Sequence, residues 1–176
     1  MKKISKKMSL QDFAIAVAEA LKETNIDVIL TGGAVVSIYS EGKYVSKDAD
    51  FLSMTDHQAI KQAMFDLGFK SLGKDFYHDD CLFTVEFPGY ELVIGDEPMK
   101  PEGKIKSGKF TLKLLSPTQC VMDRLSAFYH WKDRQSLQQA IMVAQNHPVK
   151  LKAIEIWSAK EGMSDRYKVF LGALKK

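Results

Sequence analysis

The chain is poor in the residues that staple, break or span. Only Cys81 and Cys120 are present among 176 residues, far apart and in no metal or redox spacing. That excludes a disulfide scaffold and a cysteine zinc site, and reads as reduced thiols in a cytoplasmic protein. No apolar run approaches the roughly 20 residues that cross a bilayer, so no membrane partner is expected. The basic stretch Lys2, Lys3, Lys6 and Lys7 is not followed by an apolar run and a small-residue cleavage site, so no secretory signal is read there. His57, His78, His130 and His147 show no ligand spacing to one another. His78 beside Asp79 and Asp80 has the donors for a metal, but a polar hairpin turn accounts for it better. No Ser/His/Asp set, Walker loop or dinucleotide fingerprint occurs.

What remains is an ordinary globular composition, 45% apolar and 27% charged. The charge is divided unevenly. Residues 1–99 hold ten Lys or Arg against sixteen Asp or Glu, and residues 100–176 hold fifteen against six. A metal site beside an anion-binding surface would have this asymmetry, and so would two solvated faces that merely differ.

Periodicity places the elements. Leu10, Phe13, Ala14, Val17 and Leu21 make one helical face over Ser9–Thr24, with Ser9 as N-cap. Residues 27–31 read as a buried strand. Gly32-Gly33 interrupt it and a helix opens over 34–39. A polar loop covers 40–47 and a strand covers 48–53. Thr55 with Gln58 predicts a capping box for a helix carrying Ile60, Ala63, Met64 and Leu67, closed by Gly68. A strand or hairpin over 69–80, a strand over 81–87, a Pro88-Gly89 turn and a strand over 90–94 follow. Residues 95–108 read as a long loop, Lys100, Lys104, Lys106 and Lys109 as a basic segment, and 110–115 as the last strand. Ser116-Pro117-Thr118-Gln119 is a strong helix start, and four helices follow to residue 175, one capped by Asp133. The expected organisation is an α/β (α+β) core over 1–115, a mixed sheet flanked by helices. A helical tail over 116–176 is expected to pack on it.

Three features carry chemistry. Gly32-Gly33 lie between a buried strand and a helix, where backbone N–H groups hold anions. Asp48-Ala49-Asp50 open the next strand, and residues two apart share a face, so both carboxylates project together while Phe51 faces the other way. Glu86 alternates with Val85 and Phe87 on a later strand. If those strands are neighbours, three carboxylates converge and need cations of the Mg²⁺ or Mn²⁺ type. A half-exposed strand with Glu86 in solvent is the other outcome. Ser46 and Lys47, just upstream, offer a hydroxyl and a cation.

The order Thr31-Gly32-Gly33, polar loop, Ser46-Lys47-Asp48-Ala49-Asp50-Phe51, then Glu86 resembles the signature of the DNA polymerase β-type nucleotidyltransferase superfamily. Within it the chain is similar to bacterial nucleotidyltransferase-like proteins of the abortive-infection and toxin–antitoxin groups. Strings such as Val85-Glu86-Phe87-Pro88, Gly95-Asp96-Glu97-Pro98, Asp123-Arg124-Leu125 and Trp131-Lys132-Asp133-Arg134 resemble an uncharacterised branch of these. The resemblance implies a nucleotidyltransferase-type fold with Asp48, Asp50 and Glu86 as metal ligands and catalytic residues. It implies Gly32 and Gly33 on the triphosphate, and Arg124 and Arg134 reaching phosphates or an acidic partner. The implied reaction moves a nucleoside monophosphate from an NTP to a hydroxyl of RNA, protein or a small molecule. The alternative is an inactive interaction module of a toxin–antitoxin or phage-defence pair, bound to a partner protein.

Asp123 and Arg124 also read as an ordinary helix pair, Arg134 as surface, and Trp131 and Trp157 as inter-helix packing rather than base-stacking platforms.

Overall fold

The computed structural model describes residues 4–175, so Lys2 and Lys3 of the basic stretch lie outside the described residues. Helix α1, Leu10–Glu23, starts where Ser9 Oγ accepts from the Asp12 backbone N–H at 3.1 Å and buries Phe13, Ala14, Val17 and Leu21. Strand β1, Ile29–Thr31, runs into helix α2, Gly32–Tyr39, and the two glycines form its first turn rather than a separate loop. Strand β2, Asp48–Leu52, follows, then helix α3, His57–Asp66. The cap of α3 is Asp56, not Thr55: Asp56 Oδ1 accepts from Gln58 N at 2.9 Å and from Ala59 N at 3.4 Å, while the Thr55 N–H is taken by Ser53 Oγ. A carboxylate at the positive end of the helix is favoured over a hydroxyl one residue earlier.

Strands β3, Lys70–Leu72, and β4, Asp75–Tyr77, form the expected hairpin. Strand β5 covers Thr84–Gly89, starting later than residue 81 and running through Pro88-Gly89 instead of turning there. Pro88 is tolerated because β4 pairs only with Thr84 and Val85, and because the β2–β5 register shifts between Asp50 and Leu52. Residues 90–108 differ most from expectation. Strands β6, Val93–Ile94, and β7, Glu97–Pro98, make a separate two-stranded ribbon. Strand β8, Gly103–Ser107, pairs with β9, Phe110–Leu114. Lys104 and Lys106 therefore flank Ile105 on an edge strand rather than on a basic loop. Lysines there discourage pairing with another chain.

The seven-stranded mixed sheet has the order β3-β4-β5-β2-β1-β9-β8, with β1 parallel to β9, β2 parallel to β5, and the other pairs antiparallel. Four helices complete the chain: α4 Pro117–Trp131, α5 Arg134–Asn146, α6 Leu151–Lys160 and α7 Ser164–Leu174. The seven helices flank the sheet in a mixed α/β architecture. A single apolar cluster joins Phe13 and Leu21 of α1, Leu30, Phe51, Val85 and Leu114 of the sheet, and Val121 and Leu125 of α4. Tyr39 Oη donates to the Leu115 carbonyl at 2.8 Å, tying α2 to the start of the helical segment. Among the described residues no helix is long and apolar enough to cross a membrane.

Helix α4 begins with the capping box read from the sequence. Ser116 Oγ accepts from Gln119 N, and Gln119 Oε1 accepts from Ser116 N and also from Glu102 N. Ser116→Ala is expected to lower unfolding free energy by about 1 kcal/mol in urea titrations. Gln119→Ala is expected to cost more, since it strands two backbone donors at once.

Candidate active site

Adjacent strands lie about 4.8 Å apart, so residues in register across a sheet are neighbours on one face. Thr31 of β1 pairs with Asp50 of β2, and Asp50 pairs with Glu86 of β5. Phe76 of β4 pairs with Val85, and the next step of that register sets Asp75 beside Glu86. A row of acids thus crosses three strands, Asp50, Glu86 and Asp75, with Asp48 two residues from Asp50 on the same face. The alternating Ala49, Phe51 and Val85 are buried in the core. One carboxylate oxygen each from Asp48, Asp50 and Glu86 lies within 4.8 Å of the others. The sequence expectation required those two strands to be neighbours, and they are.

Such proximity has an electrostatic cost. Burial pushes the Asp50 carboxyl up to about 6, and the charges of Asp48 and Glu86 push the same way, against opposing pulls from Arg124 and Lys74. Burial also raises Glu86; its hydrogen bond from Lys74 acts against that and the Asp75 carboxyl beside it adds to it. Asp75 Oδ1 is itself buried with no hydrogen-bond partner. A set of hard oxygen donors short of positive charge fits a divalent cation of the Mg²⁺ or Mn²⁺ class.

The glycines sit directly against this set. Gly32 has φ +65°, and a Cβ there would lie 2.1 Å from Asp50 Oδ2. Only glycine permits both the backbone conformation and the approach. A Cβ at Gly33 would lie 2.9 Å from Ser46 Oγ. Ser46 is buried and donates to Asp48 Oδ1 at 2.5 Å, so its hydroxyl lies between the acid set and the start of α2. Thr31, the N-cap of α2, makes no side-chain capping bond; its hydroxyl goes to the Asp50 carbonyl instead. The first turn of α2 holds no acidic residue. Its amide end is left without a capping side chain, which suits an anion.

The cations divide. Arg124 on α4 is half-buried; its Nε and Nη2 donate to Asp123 Oδ2, Nη1 lies 3.5 Å from Gln139 Oε1, and its charge acts on Asp50. It is thus both a helix-pair residue and a cation of the acidic face. Lys47 and Arg134 are exposed, and no contact among the described residues ties either to the carboxylates. Asp133 is occupied as N-cap of α5, accepting from Gln135 N and Ser136 Oγ. His78 serves its turn, accepting from Asp80 N at 3.1 Å. Of the two tryptophans, Trp157 is packed and donates to the Ile94 carbonyl, but Trp131 is 83% exposed. Trp131 ends α4 just before the left-handed Lys132, where no further helical turn is left to cover it.

Two residues of this face escaped the sequence. Lys74 Nζ lies 2.7 Å from Glu86 Oε2, and Asp75 flanks the same carboxylate. Both come from the β3–β4 hairpin, and no local pattern announces its docking beside β5.

The architecture is a nucleotidyltransferase-like fold. The fold matches the crystal structure of an antigenic nucleotidyltransferase-like protein from Paracoccidioides brasiliensis, with a TM-score of 0.57 and 16% identity over 80% of this chain and 78% of that one. No protein-family profile and no curated protein matches the sequence.

Proposed function

We propose that the protein is a Mg²⁺-dependent nucleotidyltransferase that moves a nucleoside monophosphate from an NTP to a hydroxyl acceptor. The observation that carries this is the convergence of Asp48, Asp50 and Glu86 within 4.8 Å, directly against Gly32 at the uncapped start of α2. Asp48, Asp50 and Glu86 would hold the ions, which supply charge neutralisation and activation of the attacking hydroxyl. The first turn of α2, from Gly32 and Gly33, would receive the triphosphate through backbone N–H groups, with Ser46 fixing Asp48 in place. Arg124 would add positive charge on the α4 side, and Lys47 and Arg134 would add to it. The acceptor oxygen bonds to the α-phosphorus, the bond to the β-phosphate oxygen breaks, and pyrophosphate leaves. The acceptor proton passes to a carboxylate of the trio. The protein's share is positioning and preorganised charge. The acceptor is RNA, a protein side chain or a small molecule. By the sequence resemblance, the setting is the bacterial abortive-infection and toxin–antitoxin group.

The test is incubation of each α-labelled NTP with Mg²⁺, the protein and cell extract, following which molecule becomes labelled. Asp48→Ala is expected to reduce labelling at least about 100-fold, since it removes a charge made for the transition state. Equal labelling by wild type and Asp48→Ala would overturn the proposal and leave the interaction-module reading in its place.

A further inference from the structure

We propose that Lys74 is a cation latch on the acidic face: its ammonium holds Glu86 until a divalent ion displaces it. This rests on the metal-site reading above and adds the way the site opens.

The Lys74–Glu86 pair joins unlike environments. Lys74 is 79% exposed, whereas Glu86 is 15% exposed. The lysine stands in the two-residue turn Gly73-Lys74 between β3 and β4, with Gly73 at φ +62°. This hairpin is the edge of the sheet, and every residue of β3 is exposed. Lys74 thus reaches inward from a solvated turn, on a flexible stem, to a carboxylate within the acid row. Glu86 stands between Asp50 and Asp75, and Asp75 has a buried oxygen with no donor. Without a cation at this point three neighbouring carboxyls would face one another uncompensated. Arg124 cannot take the place, because its Nε and Nη2 are engaged by Asp123.

An ammonium and a divalent ion repel at a shared carboxylate, so the ion's arrival favours release of Lys74. Release costs little, since an exposed lysine is readily rehydrated and exposed ion pairs are weak. The freed ammonium remains at the rim of the site, where it can meet a triphosphate. The hairpin thus keeps the acid row neutralised in the metal-free protein without closing it to the metal.

Manganese titration of the intact protein, followed by calorimetry or by the Mn²⁺ spin signal, tests this directly. Lys74→Met should bind Mn²⁺ up to about fivefold more tightly than wild type, and Lys74→Arg within about 1.5-fold of it. Amine-reactive labelling read by mass spectrometry should show Lys74 modified several-fold faster at saturating Mn²⁺. Lys70, paired with Asp79 at 2.6 Å on the same hairpin, should be unchanged. Mn²⁺ binding to Lys74→Met but not to wild type would support the latch in its strongest form. Equal affinities, or Lys74 labelling indifferent to Mn²⁺, would overturn the latch and leave the metal site standing. No Mn²⁺ binding to either protein would overturn both.

Discussion

Asp50→Asn is expected to abolish nucleotidyl transfer and, in the same protein, to raise the melting temperature measured without divalent metal. The two effects have one cause. Asp50 is the β2 end of the acid row, in register with Glu86 and two residues from Asp48. Burial, followed by those two neighbours, lifts its carboxyl from 3.8 to about 6. A carboxyl raised in the folded state is a stabiliser only when protonated: its contribution is complete below its unfolded value and is lost as pH climbs through about 6. At pH 7.5 the folded protein therefore carries the whole cost of that charge. Each tenfold change in proton affinity corresponds to about 1.4 kcal/mol, and screening by the solvent that reaches this cleft reduces the total to about 1–2 kcal/mol. Asparagine keeps the shape and removes the charge, so a rise of about 3–6 °C is expected at pH 7.5, shrinking towards pH 4. Mg²⁺ should raise the melting temperature of wild type and leave that of Asp50→Asn nearly unchanged. A variant that melts at or below wild type at pH 7.5 would show that the acid row is not under electrostatic strain.

Gly32→Ala should damage stability and transfer together. The added Cβ would lie 2.1 Å from Asp50 Oδ2 and 3.0 Å from Asp50 Cγ, so the carboxyl must leave its place. The backbone there has φ +65°, a left-handed conformation that costs an L side chain about 1–2 kcal/mol even in free space. Moving Asp50 would disturb the hold on an ion proposed for it, and a displacement of about 1 Å at a reacting centre can cost about 100-fold in rate. A stability loss of about 2–3 kcal/mol with a rate loss of at least 100-fold is therefore expected, read by urea denaturation and labelled-NTP transfer. Gly33→Ala is the internal comparison. Its Cβ would meet Ser46 Oγ at 2.9 Å, the backbone is not left-handed, and a hydroxyl can turn aside. Its losses should be several-fold smaller. Equal losses in the two variants would mean that the glycines matter as a turn and not as the floor beneath Asp50.

Much of the architecture was written in local signals. Ser9, Asp133 and the Ser116–Gln119 box cap the helices they were read to cap, because a capping bond spans two or three residues and needs no distant partner. The α1 face is the buried one because helical periodicity is likewise local. Errors fell where two local signals competed or a distant strand decided. Asp56 displaced Thr55 as a cap one residue along. Residues 103–107 became β8 only because β9 lies beside them. Pro88 stayed within a strand because the neighbouring hairpin stops short of it.

The sequence by itself determined that Asp48 and Asp50 share a face, that Glu86 points away from an apolar pair, and that glycines stand between a strand and the helix that precedes the two aspartates. Each follows from backbone geometry within a few residues. Only the tertiary structure decided that β2 and β5 are neighbours in register, that Gly32 lies against the Asp50 carboxylate, that Arg124 faces the acids from α4, and that a hairpin carries Lys74 and Asp75 to Glu86. Strand order and register are set by which apolar faces bury together across the whole chain, and no short stretch of residues contains that choice.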